Sequence, residues 1–292
     1  MTEHTLYHAD ARNMSFIMDK SVHLVLTSPP YFNLKEYRRG QNQLGIIDDY
    51  QQFIDELEKI WRECYRVLVP GGRVVCVVGD VCLSRRKYGR HVVMPLHSDI
   101  AVSCRKIGFD NLNPILWHKI SNASFEANTN SSILGKPYEP NAIIKNDVEY
   151  ILMERKPGGY RKPTEKQREE SRIDRKDFQN WFSQIWELPG ASTRNGHPAP
   201  FPLELASRLI KMFSFVGDVV LDPFSGSGTT MLAAINSNRN SIGIETEEYY
   251  CRSSIQRLEN SRNLFSMFNV SYVDLSHEKD YERNIGMQSA VF

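Results

Sequence analysis

Val219-Val-Leu-Asp-Pro-Phe-Ser-Gly-Ser-Gly-Thr-Thr230 is the stretch that decides the fold. An apolar run reaches Asp222, a loop with Gly226 and Gly228 follows, and a helical segment extends from Thr229 to Asn236. Glycines let a ligand come close to the backbone and tolerate positive φ. The free N–H groups that open the next helix suit an anionic group. Ser241-Ile-Gly-Ile-Glu245 reads as the following strand, and an acid at its end suits a pair of ribose hydroxyls. Met231 stands where a dinucleotide loop needs its third glycine, and no lysine follows Gly228, so both the GxGxxG and the P-loop fingerprints fail. An adenosine-containing ligand without a demanding phosphate remains, such as S-adenosylmethionine.

Outward from this loop, strands alternate with helices. Val22–Thr27, Arg73–Val78, Pro114–His118 and Val148–Met153 read as strands. Phe53, Leu57, Ile60, Trp61 and Leu68 recur at helical spacing within Gln51–Leu68, and Leu203, Ala206, Ile210 and Phe213 mark another amphipathic helix. His91–Ile107 reads as a helix broken near Pro95. The alternation predicts an α/β fold, a mostly parallel sheet with helices on both faces. Residues 1–119 and 196–265 form the sheet domain. The polar stretch 120–147 and the charged stretch 155–177 break the rhythm, so 120–195 reads as an inserted region, and 266–292 is a tail without an assigned element.

Thirty-six Lys and Arg against 35 Asp and Glu leave a net charge of +1, which excludes a histone-like polycation and an acidic tail protein. That total hides separation, because 35–39 carries +2, 85–90 carries +4 and 155–177 carries +4. A polyanionic partner fits if those stretches share a face. No apolar run is long enough to span a membrane. The start Met-Thr-Glu-His is unlike a signal peptide, and five cysteines without a CxxC pair suit a reducing compartment, so a cytoplasmic location is expected. No His/Cys cluster has metal spacing, and no metal is expected.

Thr27-Ser-Pro-Pro-Tyr31 closes the strand Val22–Thr27. Each proline removes an N–H and holds the preceding residue extended. Ser28 and the adjacent carbonyls therefore form a rigid acceptor cluster that fits an exocyclic amino group, and Tyr31 offers a face for a base. Together with Asp222-Pro-Phe-Ser-Gly-Ser-Gly-Thr-Thr230 and Gly243-Ile-Glu245, this turn resembles the amino-methylating DNA methyltransferases. The order, catalytic turn first and cofactor loop last, resembles their β group. His8-Ala-Asp10, Leu68-Val-Pro-Gly-Gly72, Val148-Glu-Tyr-Ile-Leu152 and His197-Pro-Ala-Pro-Phe-Pro-Leu203 extend the likeness over roughly residues 5–260.

The resemblance implies a Rossmann-like S-adenosylmethionine-dependent methyltransferase fold, with 120–195 as the target-recognition region. It implies that Ser28, Pro29, Pro30 and Tyr31 form the catalytic turn. Asp222, Phe224, Ser225, Gly226, Ser227, Gly228 and Thr229 would hold the methionine part of the cofactor. Glu245 would take the ribose, Asp10 the adenine, and His197 would help line the methionine pocket. A serine in this turn is typical of N4-cytosine enzymes, whereas adenine enzymes usually carry aspartate. The expected partner is double-stranded DNA, with Lys35, Arg38, Arg39, Arg85, Arg86, Lys87, Arg90 and the 155–177 stretch as candidate contacts. A cognate restriction endonuclease fits the family's restriction–modification habit, and monomer and homodimer both stay open. The competing readings are an N6-adenine DNA methyltransferase, an RNA or small-molecule methyltransferase, and a DNA-binding partner without turnover.

Overall fold

The computed structural model describes residues 1–32, 43–83, 88–119, 140, 144, 146–190, 202–262 and 267–276. The strands are β1 (Thr2–His8), β2 (Val22–Thr27), β3 (Leu68–Val78), β4 (Val81–Leu83), β5 (Val92–Met94), β6 (Asp110–Asn111), β7 (Ile115–His118), β8 (Val148–Arg155), β9 (Ile185–Glu187), β10 (Val219–Asp222), β11 (Asn240–Glu245) and β12 (Phe268–Asp274). The helices are α1 (Tyr50–Val67), α2 (Leu96–Ile107), α3 (Glu165–Glu170), α4 (Arg175–Trp181), α5 (Leu203–Phe213), α6 (Thr229–Asn236) and α7 (Glu248–Asn260).

One sheet organises the chain, in the order β12-β1-β11-β10-β2-β3-β8-β7-β9, with β6 also paired to β8. From β12 to β3 all neighbours are parallel, β8 is antiparallel to both β3 and β7, and β9 is parallel to β7. The predicted mostly parallel sheet is therefore present. Strand alternation divides its core between two faces. Val25, Val74, Cys76 and Val78 pack with Phe53, Leu57, Trp61 and Cys64 of α1 and with Leu96, Ile100 and Cys104 of α2. Leu24, Leu26, Val75 and Val77 point the other way, onto Leu205, Leu209 and Ile210 of α5 and onto Trp181 and Trp186.

Four expectations need correction. β8 and β9 lie inside 120–195 yet are strands of the main sheet, and Trp117, Trp181 and Trp186 share one core cluster with α5. The part of 120–195 from 146 onward therefore belongs to the sheet domain, and residues 120–139 lie outside the described residues. The tail is not without structure at its start, since β12 pairs in register with β1 along its whole length. The helix read over His91–Ile107 begins only at Leu96. Val92–Met94 is a strand paired with β4, and Pro95, which removes an N–H, sits at the helix N-cap. Finally, the strand read as Arg73–Val78 begins at Leu68, and Pro70-Gly71-Gly72 makes a bulge within it, with Val22 opposite Leu68 and Leu24 opposite Arg73. Gly71 is needed there: its φ is +79°, and a Cβ would lie 2.2 Å from the Gly159 carbonyl oxygen.

The parallel direction brings one set of strand ends together. His8 is level with Glu245, Asp222 with Gly243, and Thr27 with Cys76. Because β8 runs the opposite way, its first residues reach the same edge, with Tyr150 opposite Val78. Ligands of such sheets bind at the carboxyl ends of the strands.

Candidate active site

A cleft opens at this edge between the loops that follow β1, β2, β10 and β11. Asp10, Ser28, Pro29, Pro30, Phe224, Gly226 and Glu245 all line it, so residues far apart in sequence meet at one site. The sequence reading missed Gln43, Ile60, Pro223, Thr246, Glu247 and Tyr250 as lining residues. Ile60 belongs to the apolar face already assigned to α1, and Thr246 and Glu247 simply continue from Glu245. None of these three positions carries a chemical signal of its own in the sequence.

The glycine loop is held tightly from below. Gly228 has φ +75°, and a Cβ on it would stand 2.2 Å from Ser254 Oγ of α7. The Arg257 guanidinium, also from α7, donates to the Ser227 carbonyl at 3.0 Å and to Thr229 Oγ1 at 3.0 Å. The Ser225 N–H donates to the Ile244 carbonyl at 2.9 Å. Ser225, Ser227, Gly228 and Thr229 thus shape the loop, while Phe224 and Gly226 face the cleft. Gly243 allows the close approach of β11, since a Cβ there would meet Met231 Sδ and Ser225 Oγ, each at 2.6 Å.

Glu245 is the acid of the cleft. The Gly226 N–H donates to its Oε2 at 2.9 Å, and the Glu247 N–H donates to its Oε1 at 2.9 Å. Burial pushes its carboxyl up to about 7, against the opposing effect of those N–H groups. Asp10 also faces the cleft, with its carboxylate gripped by Arg12, whose Nε lies 2.9 Å from Oδ2 and whose Nη1 continues to Glu56 at 2.7 Å.

Asp222 does not reach the cleft. Its carboxylate is buried and fully engaged, accepting from Thr27 Oγ1 at 2.7 Å, from Thr230 Oγ1 at 2.6 Å and from the Phe224 N–H at 3.0 Å. Burial raises its carboxyl above the usual range, and the two hydroxyl bonds oppose that rise. Asp222 therefore ties the turn after β2 to the loop after β10. Thr27 directly precedes Ser28, so this bond fixes the turn's root.

Beyond Ser28-Pro29-Pro30, the Tyr31 hydroxyl donates to Glu149 Oε1 at 2.9 Å. The Lys119 ammonium bonds the same oxygen. Gly79, just after β3, leaves room for this group. A Cβ there would lie 3.2 Å from Glu149 Cγ and 3.5 Å from the Tyr31 ring. Cys64, Cys76, Cys104 and Cys251 are buried, and burial pushes each thiol up, so none of them offers a thiolate.

His197, Lys35, Arg38, Arg39, Arg85, Arg86 and Lys87 lie outside the described residues. Arg90 is exposed, just before β5. The 155–177 stretch stands at the opposite end of the sheet, because Arg155 pairs with Arg73, which is level with Leu24 near the start of β2, and Arg161 meets Asp218 just before β10. Two of its cations serve the fold there. Lys156 Nζ donates to the carbonyls of Tyr65 and Leu68 at 2.6 and 2.8 Å, and Arg161 pairs with buried Asp218. The 155–177 stretch thus lies away from the edge that carries the Ser28–Tyr31 turn.

The sequence pattern of a DNA methylase family, of the N6/N4 methyltransferase type, matches residues 22–256. A type II methyltransferase, M.MjaI of Methanocaldococcus jannaschii, is 40% identical over 278 residues, covering 85% of this chain and 88% of the relative. The DNA adenine methyltransferase YhdJ of Escherichia coli is 29% identical over 269 residues, covering 87% and 82%. A crystal structure from Thermus thermophilus, described as a DNA modification methylase in complex with S-adenosyl-L-methionine, superimposes with a TM-score of 0.77 at 50% identity, over 94% of this chain and 99% of that one. Among the described residues, no helix is long and apolar enough to cross a membrane.

Proposed function

We propose, for a chain that belongs to the N6/N4 DNA methylase family, that it methylates the exocyclic N4 of cytosine within a specific duplex sequence. S-adenosylmethionine is the methyl donor in this reading. The observation that carries it is Ser28, set in its proline frame on the wall of the same cleft as Glu245 and Gly226.

The cleft's chemistry suits that donor. Glu245 presents a carboxylate whose charge is disfavoured by burial and which gains from hydroxyl donors such as those of a ribose. Asp10, clamped by Arg12, stands ready for an amino group such as that of adenine. Phe224 and Ile60 add apolar wall. When bound, the cofactor supplies an electrophilic methyl group on a sulfonium.

The protein's own part is positioning. An exocyclic amine conjugated with its ring is a poor nucleophile. Ser28 Oγ and the Pro29 carbonyl accept hydrogen bonds from its N–H groups, which favours a pyramidal nitrogen with its lone pair exposed. Asp222 fixes this turn relative to the glycine loop through Thr27. The target base leaves the helix to reach the cleft, and Tyr31 stacks on it. No covalent enzyme–base bond is required, and the buried, unactivated thiols support direct transfer. Arg90 and the basic residues at 35–39 and 85–87 would meet the phosphate backbone, and of the region 120–195 read as target-recognising, the part before β8 keeps that role in this proposal.

Digestion of methylated DNA to nucleosides tests the base: N4-methylcytosine is expected. N6-methyladenine would instead support the second reading, which the likeness to the E. coli adenine enzyme favours. Ser28→Ala and Tyr31→Ala should both lower methylation of duplex DNA, and wild-type rates in both would overturn the role of the turn.

A further inference from the structure

Lys119 and Glu149 form an ion pair whose side chains are only 16% and 14% exposed, beside the catalytic turn. Nothing in the cofactor cleft uses either of them. Their place follows from the sheet. Glu149 is the second residue of β8 and Lys119 directly follows β7, and these strands run antiparallel with Trp117 opposite Glu149. The Lys119 N–H also donates to the Asp147 carbonyl at 2.9 Å, which anchors the segment on the edge where β2 and β3 end. The ammonium further lies 4.6 Å from the centre of the Trp117 ring.

Taking two charges out of water is costly, and a pair placed this way adds little stability compared with apolar residues. Glu149 meanwhile touches the reacting machinery, since its Oε1 accepts the Tyr31 hydroxyl at 2.9 Å. An ammonium has three N–H donors, and Glu149 takes one. The chain Tyr31–Glu149–Lys119 therefore holds a cationic donor at a fixed place along the stacking residue.

The target's chemistry calls for such a donor. Both cytosine and adenine carry the reactive amine next to a ring nitrogen that accepts hydrogen bonds. Thymine carries an N–H there instead. The Pro29 carbonyl is an acceptor only and Ser28 Oγ accepts from the amine in this reading, so these two recognise the amine, and a charged donor suits the ring nitrogen beside it. We propose that Lys119, oriented by Glu149, donates to this ring nitrogen, N3 of cytosine or N1 of adenine. Lys119 is then a specificity-determining residue for the amine-plus-acceptor edge, and Glu149 is a positioning residue for both Lys119 and Tyr31. No bond is made or broken at Lys119. The inference rests on the methyltransferase reading above but holds for either base.

The test is a chemical double-mutant cycle. Methyl incorporation from labelled S-adenosylmethionine is measured on DNA with the natural target base and on DNA with 3-deazacytosine in its place. If nucleoside analysis first shows N6-methyladenine, 1-deazaadenine is used, so failure of the cytosine reading is seen separately. Lys119→Met is expected to lower kcat/KM on natural DNA by about 10- to 100-fold, as for a lost bond to a charged donor. It should cause no further loss on the deaza substrate and leave S-adenosylmethionine affinity unchanged. Equal losses on both substrates, or none on natural DNA, would overturn the proposal. If Lys119→Met does not fold, Lys119→Arg keeps a cation beside Glu149 and enters the same cycle. Glu149→Gln should lower kcat/KM in the same base-dependent way, and a loss that ignores the ring nitrogen would refute its positioning role.

Discussion

Cofactor affinity is expected to strengthen about tenfold between pH 6 and pH 8, with Glu245 as the cause. Burial raises its carboxyl to about 7, so near neutrality the ligand-free cleft holds a roughly equal mixture of acid and carboxylate. Ribose hydroxyls favour the charged acceptor, so binding draws the ionised form and releases a proton. If only the carboxylate binds, the apparent dissociation constant scales with one plus the ratio of acid to carboxylate. That factor is about 11 at pH 6 and about 1.1 at pH 8 for a pKa near 7. Without ligand the sign is reversed: the contribution of Glu245 to stability is fully present below about pH 4.5 and is lost as pH rises through about 7. Calorimetric titration with S-adenosylmethionine in buffers of different ionisation enthalpy counts the released proton, about half of one at pH 7. Glu245→Gln removes this titration while other ionisations, including the ligand's own amine, persist. An identical pH profile in wild type and Glu245→Gln would refute the reasoning.

Other perturbations follow from the same site and its support. Gly228→Ala should destabilise the fold by about 1–3 kcal/mol in denaturant unfolding, because its φ is +75° and the new Cβ meets Ser254 Oγ. Asp222→Asn should cost about 1–3 kcal/mol, since a side-chain amide cannot accept from Thr27, Thr230 and the Phe224 N–H as both carboxylate oxygens do. Buried Glu154, pushed up to about 7 by desolvation, contributes stability that falls by about 1 kcal/mol between pH 6 and pH 8. Glu154→Gln should flatten that part of a melting-temperature profile, and an unchanged slope would contradict the assignment.

The sequence made legible those elements whose side chains repeat one simple rule. β10 with its glycine loop, β2 with its prolines and α1 with its apolar spacing all appear where predicted. β1 stayed hidden because it is half polar. His4 is buried, yet its ring nitrogens meet Ser241 Oγ at 2.7 Å and Thr2 Oγ1 at 2.9 Å, so a polar residue occupies the core without penalty. β12 is an edge strand with mostly exposed residues, and its pairing with β1 depends on a partner more than two hundred residues away. Charge was the least reliable guide. The 155–177 cations look like a nucleic-acid surface in one dimension, but Lys156 is turned inward to collect carbonyls at the end of α1. Glu149 and Lys119 escaped for the opposite reason, as each is an ordinary residue in or beside a strand until the sheet sets both beside Tyr31.

The bond between Thr27 and Asp222 joins residues 195 apart in the chain. Their strands are neighbours, so alignment of the Ser28–Tyr31 turn with the glycine loop is a local property of two adjacent strands and one side chain. Of the sequence between them, the proposed recognition residues 120–139 can change without altering this pair of strands, whereas β3, β8 and α5 are part of the same packed sheet. Recognition and chemistry are thereby free to diverge independently within one sheet.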